Sequence, residues 1–171
     1  MANSHEARIH NAVNAFEEAN ASMVRLLEAL NDEAARRAPS DGGWNPAQVG
    51  YHVAITNELF VGILSGAVPM AKPAPAGFVE NPNVFAGIPS KVNTFPTLEP
   101  PAVVSRDEAL SKLKSAEAQI VGAMNALSAE SASGRVMEFP FGSITMYQAA
   151  EFAGAHITRH IAQIQRCTQN V

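Results

Sequence analysis

Prolines are distributed unevenly along this chain, and their distribution restricts the possible folds more than any other feature. Eight of the eleven prolines lie within residues 67–101. This segment cannot be a regular helix or a central strand, and a connection of its length is unusual in a compact domain. We expect it to cross over and wrap a helical bundle, anchored by Phe78, Phe85, Phe95 and Leu98. The alternative, a linker between two domains, is less favoured because neither flank is long enough to bury its own core.

The segments on either side of this proline-rich connector carry apolar residues at helical spacing. The periodicity predicts four helices, over residues 5–30, 46 to about 65, 106–127 and 146 to about 168. A Ser/Ala/Gly run at residues 128–134 ends the third helix. The stretch Val136–Phe141 looks extended, and Pro140 would limit it to an edge or loop-like strand.

Polar residues mark the starts of the predicted helices. Asn45 can cap the second helix, with Pro46 at the first helical position and Gln48 three residues after the cap. Sequences typical of capping boxes also precede the third and fourth helices, at Ser105–Glu108 and Thr145–Gln148. The starts of these three helices are therefore well defined by the sequence.

Four helices with one long connection indicate an all-α fold, a four-helix bundle. Short links make neighbouring helices antiparallel, whereas a connector of 35 residues can return the chain to the same end of the bundle. The second and third helices would then be parallel, which gives an up-down-down-up order. We predict a single domain of this kind over residues 1–171.

Composition excludes several classes of function. The formal net charge is −4 and no Lys/Arg cluster occurs, which argues against nucleic acid or an anionic membrane surface as the main partner. The single cysteine excludes an intrachain disulfide and fits a reducing compartment. The sequence contains neither a leader-like apolar run at its start nor a stretch that could span a membrane. A cytoplasmic location is expected.

Three histidines form a candidate metal site. His156 and His160 are four residues apart in the last predicted helix, so both imidazoles lie on one face. His52 lies near the start of the second helix, which should run antiparallel to the fourth and bring the three side chains to the same level within about one turn. Chance spacing is common, and a lone helical histidine is more often a surface or hydrogen-bonded core residue. His5 and His10 show no such convergence and are interpreted as surface residues.

Four further residues lie in or next to these two helices. Gln163, on the same face of the helix, could orient a ligand imidazole or could be an ordinary polar residue at the rim. Cys167 lies two turns beyond His160, about 10 Å along the axis, which is too far to bind the same ion. Arg159 is favoured as a solvated surface charge over an anion-binding group. Trp44 is interpreted as a hydrophobic staple before the second helix.

Three neutral imidazoles would leave a metal ion with its full positive charge and with open coordination positions. That pattern is typical of a catalytic site and not of a closed structural one. Neither Glu58 nor Glu151 falls on the histidine face by helical spacing, so no dedicated general base is visible. The sequence therefore assigns no catalytic residue.

Taken in order, these motifs resemble the DinB/YfiT-like superfamily over essentially the whole chain. The matching residues are Trp44-Asn45-Pro46-Ala47-Gln48-Val49 followed by His52, then Gly142-x-x-Thr145, and finally His156-x-x-x-His160-x-x-Gln163. The resemblance implies an up-down-down-up bundle, often dimeric, with a divalent ion held by three histidines. Carried onto this sequence, the ligands are His52, His156 and His160, and nickel or zinc is the expected metal.

The resemblance also implies a class of reaction. Members of known activity are metal-dependent thiol transferases that use small thiols such as bacillithiol or mycothiol. We therefore expect a metal-dependent thiol S-transferase, or a related hydrolase, whose partners are a small-molecule thiol or electrophile and a second copy of the chain. The alternative is a non-catalytic, stress-associated module for metal binding or dimerisation.

Overall fold

Four long helices form the body of the fold. The computed structural model describes residues 4–40, 42–88 and 94–168. In chain order the elements are α1 (His5–Glu28), α2 (Asp32–Arg36), α3 (Pro46–Ser65), β1 (Lys72–Pro73), α4 (Arg106–Asn125), α5 (Ala129–Gly134), β2 (Arg135–Phe139), β3 (Gly142–Thr145) and α6 (Met146–Thr168). The long helices α1, α3, α4 and α6 are the four that the periodicity predicts. Within the described ranges, no helix is long and apolar enough to cross a lipid bilayer.

α1 and α6 lie side by side and run in the same direction. Near the start of both helices, Arg8 of α1 forms an ion pair with Glu151 of α6. Further along both helices, Gly154 of α6 packs closely on α1, and a Cβ atom at Gly154 would lie 3.1 Å from the backbone nitrogen of Phe16. The contacts advance together along the two helices, so the helices are parallel.

α3 runs antiparallel to α6 and parallel to α4. Phe60, late in α3, contacts Phe152, early in α6, with ring centroids 5.9 Å apart. The starts of α3 and α4 are neighbours, because Gln48 Nε2 donates hydrogen bonds to the carbonyls of Pro101 and Ala102 just before α4. The predicted up-down-down-up four-helix bundle is confirmed.

The predicted caps fix where the helices begin. Asn45 and Gln48 exchange side-chain-to-backbone hydrogen bonds in a reciprocal capping box. Thr145 and Gln148 exchange the same pair of bonds at the start of α6. Ser105 accepts a hydrogen bond from a backbone N–H in the first turn of α4. Because a local cap fixes the residue at which each helix begins, it also fixes how far along the helix axis each later side chain lies.

The described parts of the connector lie against the bundle. Val84 is buried, and the Phe85 ring packs on the Phe152 ring with centroids 5.2 Å apart. The prediction that Phe95 anchors the connector is wrong, because 59% of this residue is exposed. Phe95 immediately precedes a short 3₁₀ turn, Pro96–Leu98, and it is the backbone of Leu98 that reaches α3 instead.

A small antiparallel sheet is a minor addition to the bundle. Its strand order is β1-β2-β3. The edge position predicted for Val136–Phe141 is wrong, because β2 ends at Phe139 and pairs with strands on both sides. Pro140 falls in the turn between β2 and β3, where its missing N–H breaks no ladder. The run 128–134 also differs from expectation, since most of it forms the short helix α5.

Replacing Gly154 with alanine tests the close approach of α1 and α6. The new methyl group would lie 3.1–3.2 Å from backbone atoms of Ala15 and Phe16, which cannot rotate away as a side chain can. We expect the free energy of unfolding, measured by urea denaturation, to fall by about 1–3 kcal/mol.

Gly122→Ala is the matched control. Gly122 lies in α4 on the exposed surface, and a Cβ atom there would have nothing within 4 Å. Alanine at this position should raise the free energy of unfolding by about 0.5–1 kcal/mol through helix propensity alone. Equal changes in the free energy of unfolding of the two variants would contradict the close packing of α1 against α6 at Gly154.

Candidate metal centre

Three histidines meet between α3 and α6. One ring nitrogen from each of His52, His156 and His160 can be chosen so that all three atoms lie within 4.8 Å of one another. Two nitrogens bound to one zinc ion at about 2.1 Å each can be at most about 4 Å apart, so only small side-chain rotations separate this arrangement from a bound one. The three residues singled out by the sequence are brought together.

Local sequence rules account for this convergence. The cap at Asn45 sets the start of α3, and the cap at Thr145 sets the start of α6. Antiparallel packing then brings His52 to the level of the two α6 histidines. The ring of His52 lies 4.8 Å from the ring of His160 and 5.3 Å from that of His156, measured between centroids. No further element has to move to form the cluster.

Hydrogen bonds determine which nitrogens of His52 and His160 are available. His52 Nδ1 lies 2.8 Å from the carbonyl oxygen of Leu98, and His160 Nδ1 lies 2.8 Å from Oε1 of Gln163. Both partners are oxygens that only accept, so each Nδ1 carries the proton and donates it. A lone pair is thereby left on Nε2 of both rings, the form of imidazole that binds metals.

His156 completes the donor set. Its Nε2 lies 3.1 Å from Nε2 of His160, which holds a lone pair, and its Nδ1 is buried without a hydrogen-bond partner among the described residues. The two facing nitrogens need either a proton from His156 or a cation between them. A divalent ion accepts lone pairs from all three rings, so the residues present fit a nickel or zinc ion.

Burial keeps the three imidazoles neutral. Only 3% of His52 and 9% of His160 are exposed. Desolvation lowers the pKa of His52, and it lowers the pKa of His156 further, with additional repulsion from His160 and His52. Desolvation, together with repulsion from His52 and Arg159, lowers the pKa of His160 to about 4. Neutral rings are available as ligands at physiological pH without first losing protons.

Aromatic side chains surround the histidines. The Trp44 ring lies 4.8 Å from the His52 ring, and the Phe152 ring lies 5.7 Å from the His156 ring, between centroids. From the sequence, a helix staple is favoured for Trp44 over contact with a ligand, and in the structure its ring lies against the candidate ligand His52. Its position next to the cap of the His52 helix was the signal that could have indicated this role.

The other polar residues considered in the sequence differ in whether they contact the histidines. Gln163 contacts His160, as one of its two sequence interpretations predicted. Glu58 forms an ion pair with Lys112, and Glu151 forms one with Arg8, so neither carboxylate points to the histidines. Sequence reasoning missed the Leu98 carbonyl completely, because every residue has a carbonyl and no side-chain signal distinguishes this one.

The two remaining candidates are Arg159 and Cys167. Arg159 is exposed, although it is close enough to lower the pKa of His160. Cys167 lies near the end of α6, where it lines a surface pocket together with Leu30 and Ala34.

Comparisons with known proteins agree on the fold. A family model described as the DinB superfamily matches residues 15–164. Among solved structures, YfiT from Bacillus subtilis, described as a probable metal-dependent hydrolase with an unusual four-helix bundle topology, superposes with a TM-score of 0.66. That alignment covers 98% of this chain and 89% of the YfiT chain at 18% identity, so the likeness is one of fold. No curated protein matches the chain.

The neutral histidines should make the stability of the metal-free protein depend on pH. Histidine in the unfolded chain has a pKa of about 6.5, whereas His160 in the folded protein has a pKa of about 4. Between these values the unfolded state binds a proton that the folded state does not. The free energy of unfolding should therefore fall as the pH is lowered from about 6.5 to about 4, by on the order of 3 kcal/mol from His160 alone.

The measurement is urea unfolding of chelator-treated protein at a series of pH values. The His160→Gln variant should lose the part of the pH dependence that comes from His160, because glutamine does not titrate, whereas His52 and His156 keep theirs. His10→Gln, which removes an exposed imidazole from α1, is measured in parallel. A His160→Gln variant with the same slope as the unmodified protein would contradict the prediction.

Proposed function

The chain belongs to the DinB superfamily, and from this membership and the geometry of its three histidines we propose a metal-dependent enzyme. In this proposal His52, His156 and His160 bind one divalent ion, nickel or zinc, and the protein transfers an electrophilic group to a thiol or to water. The observation that carries the proposal is the convergence of three neutral imidazoles whose hydrogen bonds leave Nε2 of His52 and His160 free to bind.

Each nearby group would have a defined task. A divalent ion held by three neutral ligands keeps its charge and supplies Lewis-acid chemistry, which lowers the pKa of a bound water or thiol. The Leu98 carbonyl and Gln163 hold the His52 and His160 rings in the required tautomer and orientation. Trp44 and Phe152 limit the access of bulk water to the rings, which strengthens electrostatic interactions there.

The surroundings of the site favour a thiol over water as the nucleophile. The nearby carboxylates of Glu58 and Glu151 are engaged in ion pairs with Lys112 and Arg8. A nucleophile that neither of these two carboxylates deprotonates must become acidic enough through the metal alone. A thiol with a pKa of about 8.5 needs a far smaller shift than water at about 15.7. The description of YfiT as a probable hydrolase supports the water alternative, so both acceptors are tested below.

Metal analysis is the first test of the proposal. Purified, untagged protein should contain about one nickel or zinc ion per chain by elemental analysis. His52→Ala and His160→Ala should each lose the metal while keeping the helical circular dichroism spectrum, because the apolar stripes do not depend on these rings. His10→Ala, which removes an exposed histidine of α1, should keep it.

Activity of the metal-loaded protein is then measured with a panel of small electrophiles, with and without added thiols. Turnover that requires thiol supports the transferase, whereas turnover in water alone supports the hydrolase. Turnover of either kind should be lost in His160→Ala. Stoichiometric metal in either alanine variant would show that the ligand assignment is wrong.

Gln163 provides an independent test of ring orientation. Removing its amide in Gln163→Ala should weaken metal affinity by about 10- to 100-fold, since the His160 ring loses the acceptor of its Nδ1 proton. Affinity is measured by competition with a chromophoric chelator. Gln165→Ala, an exposed glutamine on the same helix, is the control and should bind as tightly as the unmodified protein. Equal affinities in all three proteins would exclude an orienting role.

A second candidate function rests on the burial of the site. His52 is almost fully covered, and the connector reaches it through Leu98. Such a site could hold its metal as part of a binding or dimerisation module. Stoichiometric metal without turnover for any thiol or electrophile, together with a homodimer by light scattering, would favour this module over the enzyme.

A further inference from the structure

Two asparagines in the bundle core have no role in the histidine site. Asn20 of α1 and Asn57 of α3 are both 0% exposed, and neither the amide nitrogen nor the amide oxygen of either side chain has a hydrogen-bond partner among the described residues. Buried amides are costly unless they are hydrogen-bonded, and native proteins satisfy nearly all of them. Four such atoms in one small core call for a physical explanation.

The register of the helices places the two asparagines at the same level. Gly50 of α3 lies directly against Leu27 of α1, since a Cβ atom at Gly50 would be 2.6 Å from Leu27 Cδ1. Asn57 follows Gly50 by seven residues, and Asn20 precedes Leu27 by seven. Seven residues are about two helical turns, so each asparagine lies on the same face as its reference residue. Because α1 and α3 are antiparallel, seven residues forward on α3 and seven residues back on α1 lead in the same direction. Asn57 and Asn20 therefore lie at the same height along the bundle.

The neighbours of both asparagines along their helices are apolar. One turn away on α1 are Phe16 and Met23, and one turn away on α3 are Val53 and Phe60, all of them buried. The other buried polar side chains in the described ranges each make at least one hydrogen bond, for example Thr56 to the His52 carbonyl. His156 Nδ1, which has no partner there, belongs to the histidine site. Their shared level and their lack of a protein partner make the two asparagines candidates to share one polar ligand across the core.

We infer that Asn20 and Asn57 form an internal binding site for water, in which one water molecule bridges the two amides between α1 and α3. The amides do not hydrogen-bond to each other, so a bridging molecule is needed. Water both donates and accepts, as the two amides together require, and buried waters typically make about three hydrogen bonds to such groups. An ion is disfavoured because no charged residue lies among these neighbours. The site links two helices on opposite corners of the bundle and restricts their relative register.

The test uses leucine, which has nearly the same shape as asparagine, in the variants Asn20→Leu, Asn57→Leu and the double variant. Either single substitution leaves one buried amide and its water with too few partners, so Tm should fall by about 3 to 10 °C. Replacing both amides removes the need for the water, so the double variant should melt above either single variant. Asn14→Leu, at an exposed position of α1, controls for the change in side-chain type.

The double variant decides the outcome. A double variant that melts above two destabilised single variants supports the shared site. Single variants that melt no lower than the unmodified protein, or a double variant whose Tm shift equals the sum of the single shifts, show that the two asparagines are independent and overturn it. Crystal structures give a second measure. Ordered density for a water is expected between the two amides of the unmodified protein and not at the same place in the double variant. The metal content should be the same in all variants, so this test is independent of the proposed enzyme.

Discussion

The antiparallel packing of α3 against α6 is the contact on which the candidate site depends. His52 is supplied by one helix, and His156 and His160 by the other, so a shift of one turn between the helices would separate the rings by about 5 Å. The local caps at Asn45 and Thr145 set the helix starts, and the apolar core sets how the helices lie against each other. Placement of the site is thus a consequence of the same packing that stabilises the bundle.

Burial has opposite consequences for the different polar groups of this core. For the histidines, desolvation removes the charged form and leaves lone pairs available, which favours binding of a cation. For Asn20 and Asn57, the same desolvation penalises amides that have no protein partner. The first case is favourable for function and costs stability at low pH. The second is unfavourable unless a partner is supplied within the core.

The connector joins the site to the rest of the chain through its backbone. In its described part, its many prolines leave only the two-residue strand β1 and short 3₁₀ turns, so many carbonyl groups have no partner in a helix or a sheet. The Leu98 carbonyl accepts the His52 proton and so determines the tautomer of a candidate ligand. Nearer the middle of the connector, Glu80 pairs with Arg8, which also binds Glu151. This connector, with little regular secondary structure in its described part, therefore contacts both ends of the helical core.

The sequence by itself determined the four helices, their caps, the parallel pair across the connector and the grouping of the three histidines, because each follows from local rules of periodicity and capping. Only the tertiary structure decided which connector residues reach the bundle: the carbonyl of the half-buried Leu98 contacts His52, whereas Phe95 is exposed. It also decided the middle position of β2, the contact of Trp44 with His52 and the facing levels of Asn20 and Asn57. These features depend on backbone atoms and on distances between segments far apart in the chain, and neither leaves a periodic signal in the sequence.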